Sequence, residues 1–134
     1  MAVFLDTGFL IALKNSDDKN HEIAQSWMKR FLKREFGLIH TSYFVFNEMV
    51  TLALIRIKNK ELALDLGNFV LNSPRINVVG LTDSDFRESW KKFQKYADKR
   101  LSFTDCTLLV HSERLGCSLI ATFDSHFDGL FGTI

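Results

Sequence analysis

The 134-residue chain carries one proline, two cysteines and seven glycines. So little proline, and no low-complexity tract, exclude a Pro-rich linker or a disordered tail. Cys106 and Cys117 lack the CxxC spacing of a metal knuckle, and both sit in apolar runs. That argues against a disulfide scaffold and for a reduced, cytoplasmic protein. No apolar run reaches the roughly 18–20 residues of a membrane span, and Asp6 interrupts the N-terminal segment too early for a secretory signal. An excess of one charge is missing too: 17 basic and 16 acidic side chains leave a formal net charge of +1. This excludes the global basicity that binds nucleic acid without discrimination, so any nucleic-acid partner must be held locally.

What is present suffices for one core. With 46% hydrophobic and 25% charged residues, and no repeat or composition break, one domain is expected over residues 1–134. Short apolar runs alternate with longer amphipathic ones, the pattern of an α/β protein. Strands are expected at residues 2–5, 37–40, 76–79 and 118–123, and helices at 8–14, 21–35, 42–57, 60–71, 83–97 and 103–115. Thr82 with Asp85, and Ser102 with Asp105, have capping-box spacing, and Gly116 suits a left-handed helix end. The fold expected is a central parallel sheet of four to five strands flanked by helices. The stretch Ser42 to Ile57 is apolar on nearly every side, which places it mid-molecule or at a subunit interface.

That helix carries one acid, Glu48. A lone ionised carboxylate in apolar surroundings costs several kcal/mol unless something compensates it, and emergence at the surface or pairing with a base is the simpler account. Asp6 follows the first strand, where open α/β sheets bind ligands, but it also suits a helix N-cap. Asp105 fits a capping box with Ser102, and Asp124 can simply open the turn after the last strand. Singly, each acid has an ordinary explanation.

Topology groups them. Asp6 and Asp124 leave the carboxyl edge of parallel strands, and the helix bearing Asp105 begins near that edge. Glu48 lies about 9 Å along the helix leaving the second strand, at 1.5 Å per residue, within reach of the same pocket. Crowded carboxylates repel and their pKa values rise; a divalent cation removes that penalty. An all-oxygen set favours Mg²⁺ or Mn²⁺, and such ions activate water and stabilise the oxygens of phosphodiester displacement. The hydroxyls of Thr7, Ser42, Thr104 and Thr122 adjoin these acids and are candidates for contacting a carboxylate, a metal-bound water or a phosphate.

The segments around the acids carry a family likeness. Val3-Phe-Leu-Asp-Thr-Gly-Phe-Leu-Ile-Ala-Leu13 with Asp18 and His21, His40-Thr-Ser-Tyr-Phe-Val-Phe-Asn-Glu48, Leu101-Ser-Phe-Thr-Asp-Cys-Thr-Leu-Leu109 and Ile120-Ala-Thr-Phe-Asp-Ser-His-Phe127 occur in order. The sequence resembles the PIN-domain ribonucleases, especially the compact VapC-like toxins. The resemblance implies a three-layer α/β/α fold, Mg²⁺- or Mn²⁺-dependent cleavage of RNA, Asp6, Glu48, Asp105 and Asp124 as catalytic and metal-binding acids, and frequent homodimers. It also raises a small antitoxin protein as a partner. One position departs: Gly8 stands where the family usually has Ser or Asn.

Other residues compete for a role. Asp128, four residues after Asp124, is a candidate fifth acid. Lys91, Lys92, Lys95, Lys99 and Arg100 precede Asp105 and are candidates for gripping an RNA backbone, though a solvated helix face explains them equally well. His21 and His126 are candidate phosphate contacts, and the 13 phenylalanines read as core rather than as base-stacking platforms. Two alternatives stand beside the nuclease: a non-catalytic PIN-like module that binds RNA or protein, and a phosphoacceptor domain, which needs a lysine at its acidic pocket.

Overall fold

Ala2–Leu5 form β1, and all four of these apolar residues are buried, as a strand covered on both faces requires. The computed structural model describes residues 1–134. After β1 come α1 (Thr7–Lys14), α2 (His21–Leu32), β2 (Leu38–Ser42), α3 (Tyr43–Ile55), α4 (Lys60–Asn72), β3 (Ile76–Val79), α5 (Asp83–Lys95), α6 (Phe103–Arg114) and β4 (Cys117–Ala121). Short 3-10 turns cover Ala97–Lys99 and Ser125–Phe127.

The sheet is wholly parallel, in the order β3-β2-β1-β4. Val3 pairs with Ile39 on one side and Leu119 on the other. Four strands form, and the C-terminal segment adds only a single bridge, Ile120 to Thr133. From β1 through β2 to β3 the chain steps one way across the sheet; β4 returns to the other side of β1. Right-handed crossovers therefore send α1–α4 to one face and α5–α6 to the other. The packing agrees, since α1 touches α2, α3 and α4, while α5 packs on α6. The result is the three-layer α/β/α arrangement. A core of 29 buried apolar residues fills it, with Phe4, Phe9, Phe31 and Phe127 fully buried.

The expected elements all form, with shifted ends. The second helix stops at Leu32, not at residue 35, because Arg34 turns left-handed at φ 62°. Gly37 follows at φ 81°, where a Cβ would stand 1.9 Å from the Met1 carbonyl oxygen. Only glycine lets β2 enter beside β1 there. The last strand ends at Ala121 rather than at 123.

For α3, expected mid-molecule or at a subunit interface, the single chain does not give the mid-molecule placement. This helix buries only Val45, Met49 and Ala53, one stripe at helical spacing, while Tyr43, Leu54 and Ile55 are 62%, 47% and 63% exposed. The helix lies at the surface of the single chain, with Phe44, Phe46, Val50 and Leu52 half-buried beside that stripe. The phenylalanines also divide: Phe86 is half exposed beside Trp90 on α5, outside the core.

Candidate active site

Because β2 and β4 flank β1 on opposite sides, the strand order reverses at β1, and an open α/β sheet has a crevice at the carboxyl ends of such strands. A cleft of about 490 Å³ lies there, and Asp6, Glu48, Asp105 and Asp124 all line it. Thr7, Gly8 and Thr122 share its wall.

Asp6 leaves β1 and caps α1. Its Oδ1 accepts a hydrogen bond from the Thr7 backbone N–H at 2.7 Å, and its Oδ2 accepts one from the Thr122 hydroxyl at 2.8 Å. The backbone N–H of Asp6 donates to the Ala121 carbonyl at 3.1 Å, extending the β1–β4 pairing to the cleft itself. The side chain is buried, and burial pushes its pKa up to about 7. The Thr122 and Thr7 hydrogen bonds oppose that rise, whereas the charges of Asp105 and Glu48 add to it. Thus Asp6 feels two neighbouring carboxylates as well as the loss of water.

Asp105 is both a cap and a cleft residue. Ser102 Oγ accepts from the Asp105 N–H at 3.0 Å, and Asp105 Oδ2 accepts from the Ser102 N–H at 3.1 Å. The capping box fixes the first turn of α6 so that the carboxylate faces the cleft. Asp124 is held similarly by its turn: Oδ1 accepts from the His126 N–H at 2.9 Å, and its own N–H donates to Thr122 Oγ1 at 3.0 Å. Thr122 is thus shared between two acids, donating to Asp6 and accepting from Asp124. Glu48 reaches the cleft from the middle of α3, half-buried.

None of these four acids forms an ion pair with a lysine or arginine; every such pair in the molecule lies elsewhere. The side chain that does approach them is the ring of His126, whose Nδ1 stands 3.1 Å from Asp124 Oδ2 and 3.5 Å from Asp105 Oδ2. One donor atom from each of Asp105, Asp124 and His126 falls within 4.8 Å of the others. Thr7 Oγ1 is buried without a hydrogen-bond partner, although Thr7 lines the cleft. Converging carboxylates without a lysine or arginine, a buried acid with a raised pKa and an orphaned hydroxyl fit a hard dication and its waters. No lysine lines the cleft, so the phosphoacceptor alternative lacks the cation it requires.

The remaining candidates lie off this cleft. Ser42 is buried and spends its hydroxyl capping α3, accepting from the Val45 N–H at 3.1 Å. Thr104 is outside the lining, with its carbonyl accepting from the Thr107 hydroxyl at 2.6 Å. Lys99 and Arg100 are exposed in the connection before α6, and Asp128 is exposed at the end of the turn Ser125–Phe127. Lys91 and Lys92 pair with Glu88 and Glu113. His21 meets the Ala12 carbonyl at 2.7 Å, tying α2 to α1 rather than facing the cleft. His126, read from sequence as a phosphate contact, faces two carboxylates instead.

A family model for the PIN domain matches residues 3–130. Among solved structures, the fold is similar to that of Mycobacterium tuberculosis VapC20, a sarcin–ricin loop cleaving toxin, with a TM-score of 0.82 and 25% identity over 94% of this chain and 92% of that one. Rickettsia felis VapBC2 bound to a promoter DNA fragment gives a TM-score of 0.70 at 14% identity, covering 100% of this chain and 98% of that chain. FitAcB from Neisseria gonorrhoeae gives 0.68 at 13% identity, covering 98% and 96%. At those identities the last two likenesses concern the fold alone. No curated protein matches the chain in sequence. The matched span includes all four motifs that supply the cleft acids, and the chain belongs to the PIN-domain family.

Proposed function

We propose that residues 1–134 act as one nuclease domain, a Mg²⁺- or Mn²⁺-dependent endoribonuclease that hydrolyses RNA phosphodiester bonds. The observation that carries this reading is four carboxylates lining one cleft with no lysine or arginine to neutralise them. Asp6, Glu48, Asp105 and Asp124 would hold the ion, which when bound activates water and stabilises charge on the phosphate oxygens.

The chain's own residues do the positioning. Thr122 locks Asp6 and Asp124 in one arrangement by bonding both. The Ser102 capping box fixes Asp105. The free hydroxyl of Thr7 offers a donor to a phosphate oxygen or a water in the cleft. Purified protein is expected to cleave a defined RNA panel with Mg²⁺ or Mn²⁺ and to stop with a chelator. Asp105→Asn, which retains the cap geometry, is expected to abolish cleavage while leaving the circular dichroism spectrum intact; cleavage by that variant overturns the assignment.

The reading extends to a toxin with a small antitoxin partner, supported by the likeness to VapC20 and to structures of VapBC and FitAB complexes. A protein partner has somewhere to sit. Phe46, Val50, Leu54, Leu64 and Leu71 line an apolar groove between α3 and α4, and the chain presents a second apolar patch, Phe86 and Trp90, on α5. We place the protein in the cytoplasm as a homodimer; no helix is long and apolar enough to cross a membrane, and Cys106 and Cys117 are free and buried. Co-purification of a short second protein that suppresses cleavage tests the partner, and light scattering tests the dimer.

A further inference from the structure

We propose that His126 is itself a ligand of the ion in this cleft, making the centre a mixed nitrogen–oxygen site that prefers Mn²⁺ to Mg²⁺. This rests on the nuclease reading above, which names only oxygen donors.

The geometry starts from the backbone. Asp124 caps the turn Ser125–Phe127 by accepting the His126 N–H at 2.9 Å, and fully buried Phe127 anchors the next position in the core. With both neighbours fixed, the imidazole is placed over the carboxylates: Nδ1 lies 3.1 Å from Asp124 Oδ2 and 3.5 Å from Asp105 Oδ2. Donor atoms bound at about 2.1 Å to an octahedral ion stand about 3.0 Å apart along each edge. The first separation, 3.1 Å, matches such an edge, and the second, 3.5 Å, exceeds it by about 0.5 Å. A ring aimed at two carboxylates is poorly placed to receive a phosphate, which would meet the same negative charge. It is well placed to share a cation with them.

The other histidines offer no rival nitrogen. His21 is bonded to the Ala12 carbonyl and His40 and His111 are buried elsewhere, whereas His126, just outside the residues lining the cleft, alone brings a ring nitrogen within 4.8 Å of two of its carboxylates. A nitrogen donor changes which ion the site prefers. Mg²⁺ binds oxygen donors and gains little from imidazole, whereas transition dications accept nitrogen more readily.

Mn²⁺-loaded wild-type protein, measured by pulsed electron paramagnetic resonance, is expected to show nitrogen hyperfine coupling from one directly bound imidazole. His126→Ala is expected to lose that coupling and to bind Mn²⁺ on the order of tenfold more weakly by calorimetry, with a smaller loss for Mg²⁺. His126 is 44% exposed, so its removal leaves the core untouched. The wild-type spectrum is independent of any variant. If wild type and Asp124→Asn both fail to bind either ion, the cleft is no metal centre and the nuclease reading falls with this inference. If wild type binds Mn²⁺ without nitrogen coupling, Asp124→Asn loses the ion and His126→Ala keeps the Mn²⁺-to-Mg²⁺ ratio, the nuclease site stands and the ligand role of His126 is overturned.

Discussion

At the scale of single residues, the cleft sets local stability against chemistry, and Asp6 shows the cost. Its pKa in the folded, metal-free protein is raised from 3.8 to about 7. The folded state therefore binds more protons than the unfolded state between those values, so this side chain's contribution turns against folding as pH rises from about 4 through 7. Asp6→Asn, which can still accept from the Thr7 N–H and pair with the Thr122 hydroxyl, removes the penalty. In chelator, its unfolding free energy is expected to exceed that of wild type by roughly 2–4 kcal/mol at pH 8, and its thermal midpoint to match that of wild type near pH 4. Melting curves across that range check it; a constant difference at all pH values would mean that Asp6 ionisation is not the cause. Much of this residue-level picture was legible in the sequence. An acid after a buried apolar strand is a recognisable pattern, and four in order pointed to one sheet edge. Two features were not. The choice between cap and site for Asp105 had no answer because the residue both caps α6 and lines the cleft, and the direction of the His126 ring depends on a single 3-10 turn whose geometry has no periodic signal.

At the scale of elements, the α5–α6 pair behind the cleft is held by another buried acid. Asp85 closes a capping box with Thr82 and accepts a 2.9 Å hydrogen bond from Arg114 on α6; His111 Nε2 stands 3.5 Å away. Burial alone would raise the Asp85 pKa, but the Thr82 hydrogen bonds, with Arg114 and His111, outweigh it and hold the carboxyl below its usual value. The sign is opposite to that of Asp6: the stabilisation is present above pH 3.8 and is lost as pH falls through the lower folded value. Asp85→Ala is expected to cost about 1–3 kcal/mol at pH 7, from the lost cap and the unpaired partners, with the gap to wild type narrowing below about pH 4. Chemical denaturation at pH 7 and pH 3 measures it. The capping box is visible in sequence because it spans four residues; the tie to Arg114, 29 positions on, is not. For α3 the sequence left two placements open, mid-molecule or subunit interface. Apolar residues all round a helix say that water is unfavourable there without saying what replaces it, and in the single chain Leu54 and Ile55 remain uncovered.

At the scale of the whole molecule, the four acids come from the end of β1, the middle of α3, the first turn of α6 and the residues after β4. These segments belong to both helical layers and to the sheet between them, so an ion bound by all four would tie together parts of the chain separated by up to 118 positions, from Asp6 to Asp124. Binding confined to the folded state stabilises by about 2.7 kcal/mol at one hundred times the dissociation constant. Mn²⁺ at that excess is expected to raise the stability of wild type by that amount, and to slow amide exchange together at the carboxyl ends of β1 and β4 and the start of α6. Asp124→Asn should show neither effect, because it removes one anchor and leaves Asp6 and Asp105 repelling each other. Slowing confined to the turn Ser125–Phe127 would mean a surface ion held by Asp124 and His126, not a cation that unites the layers of the fold.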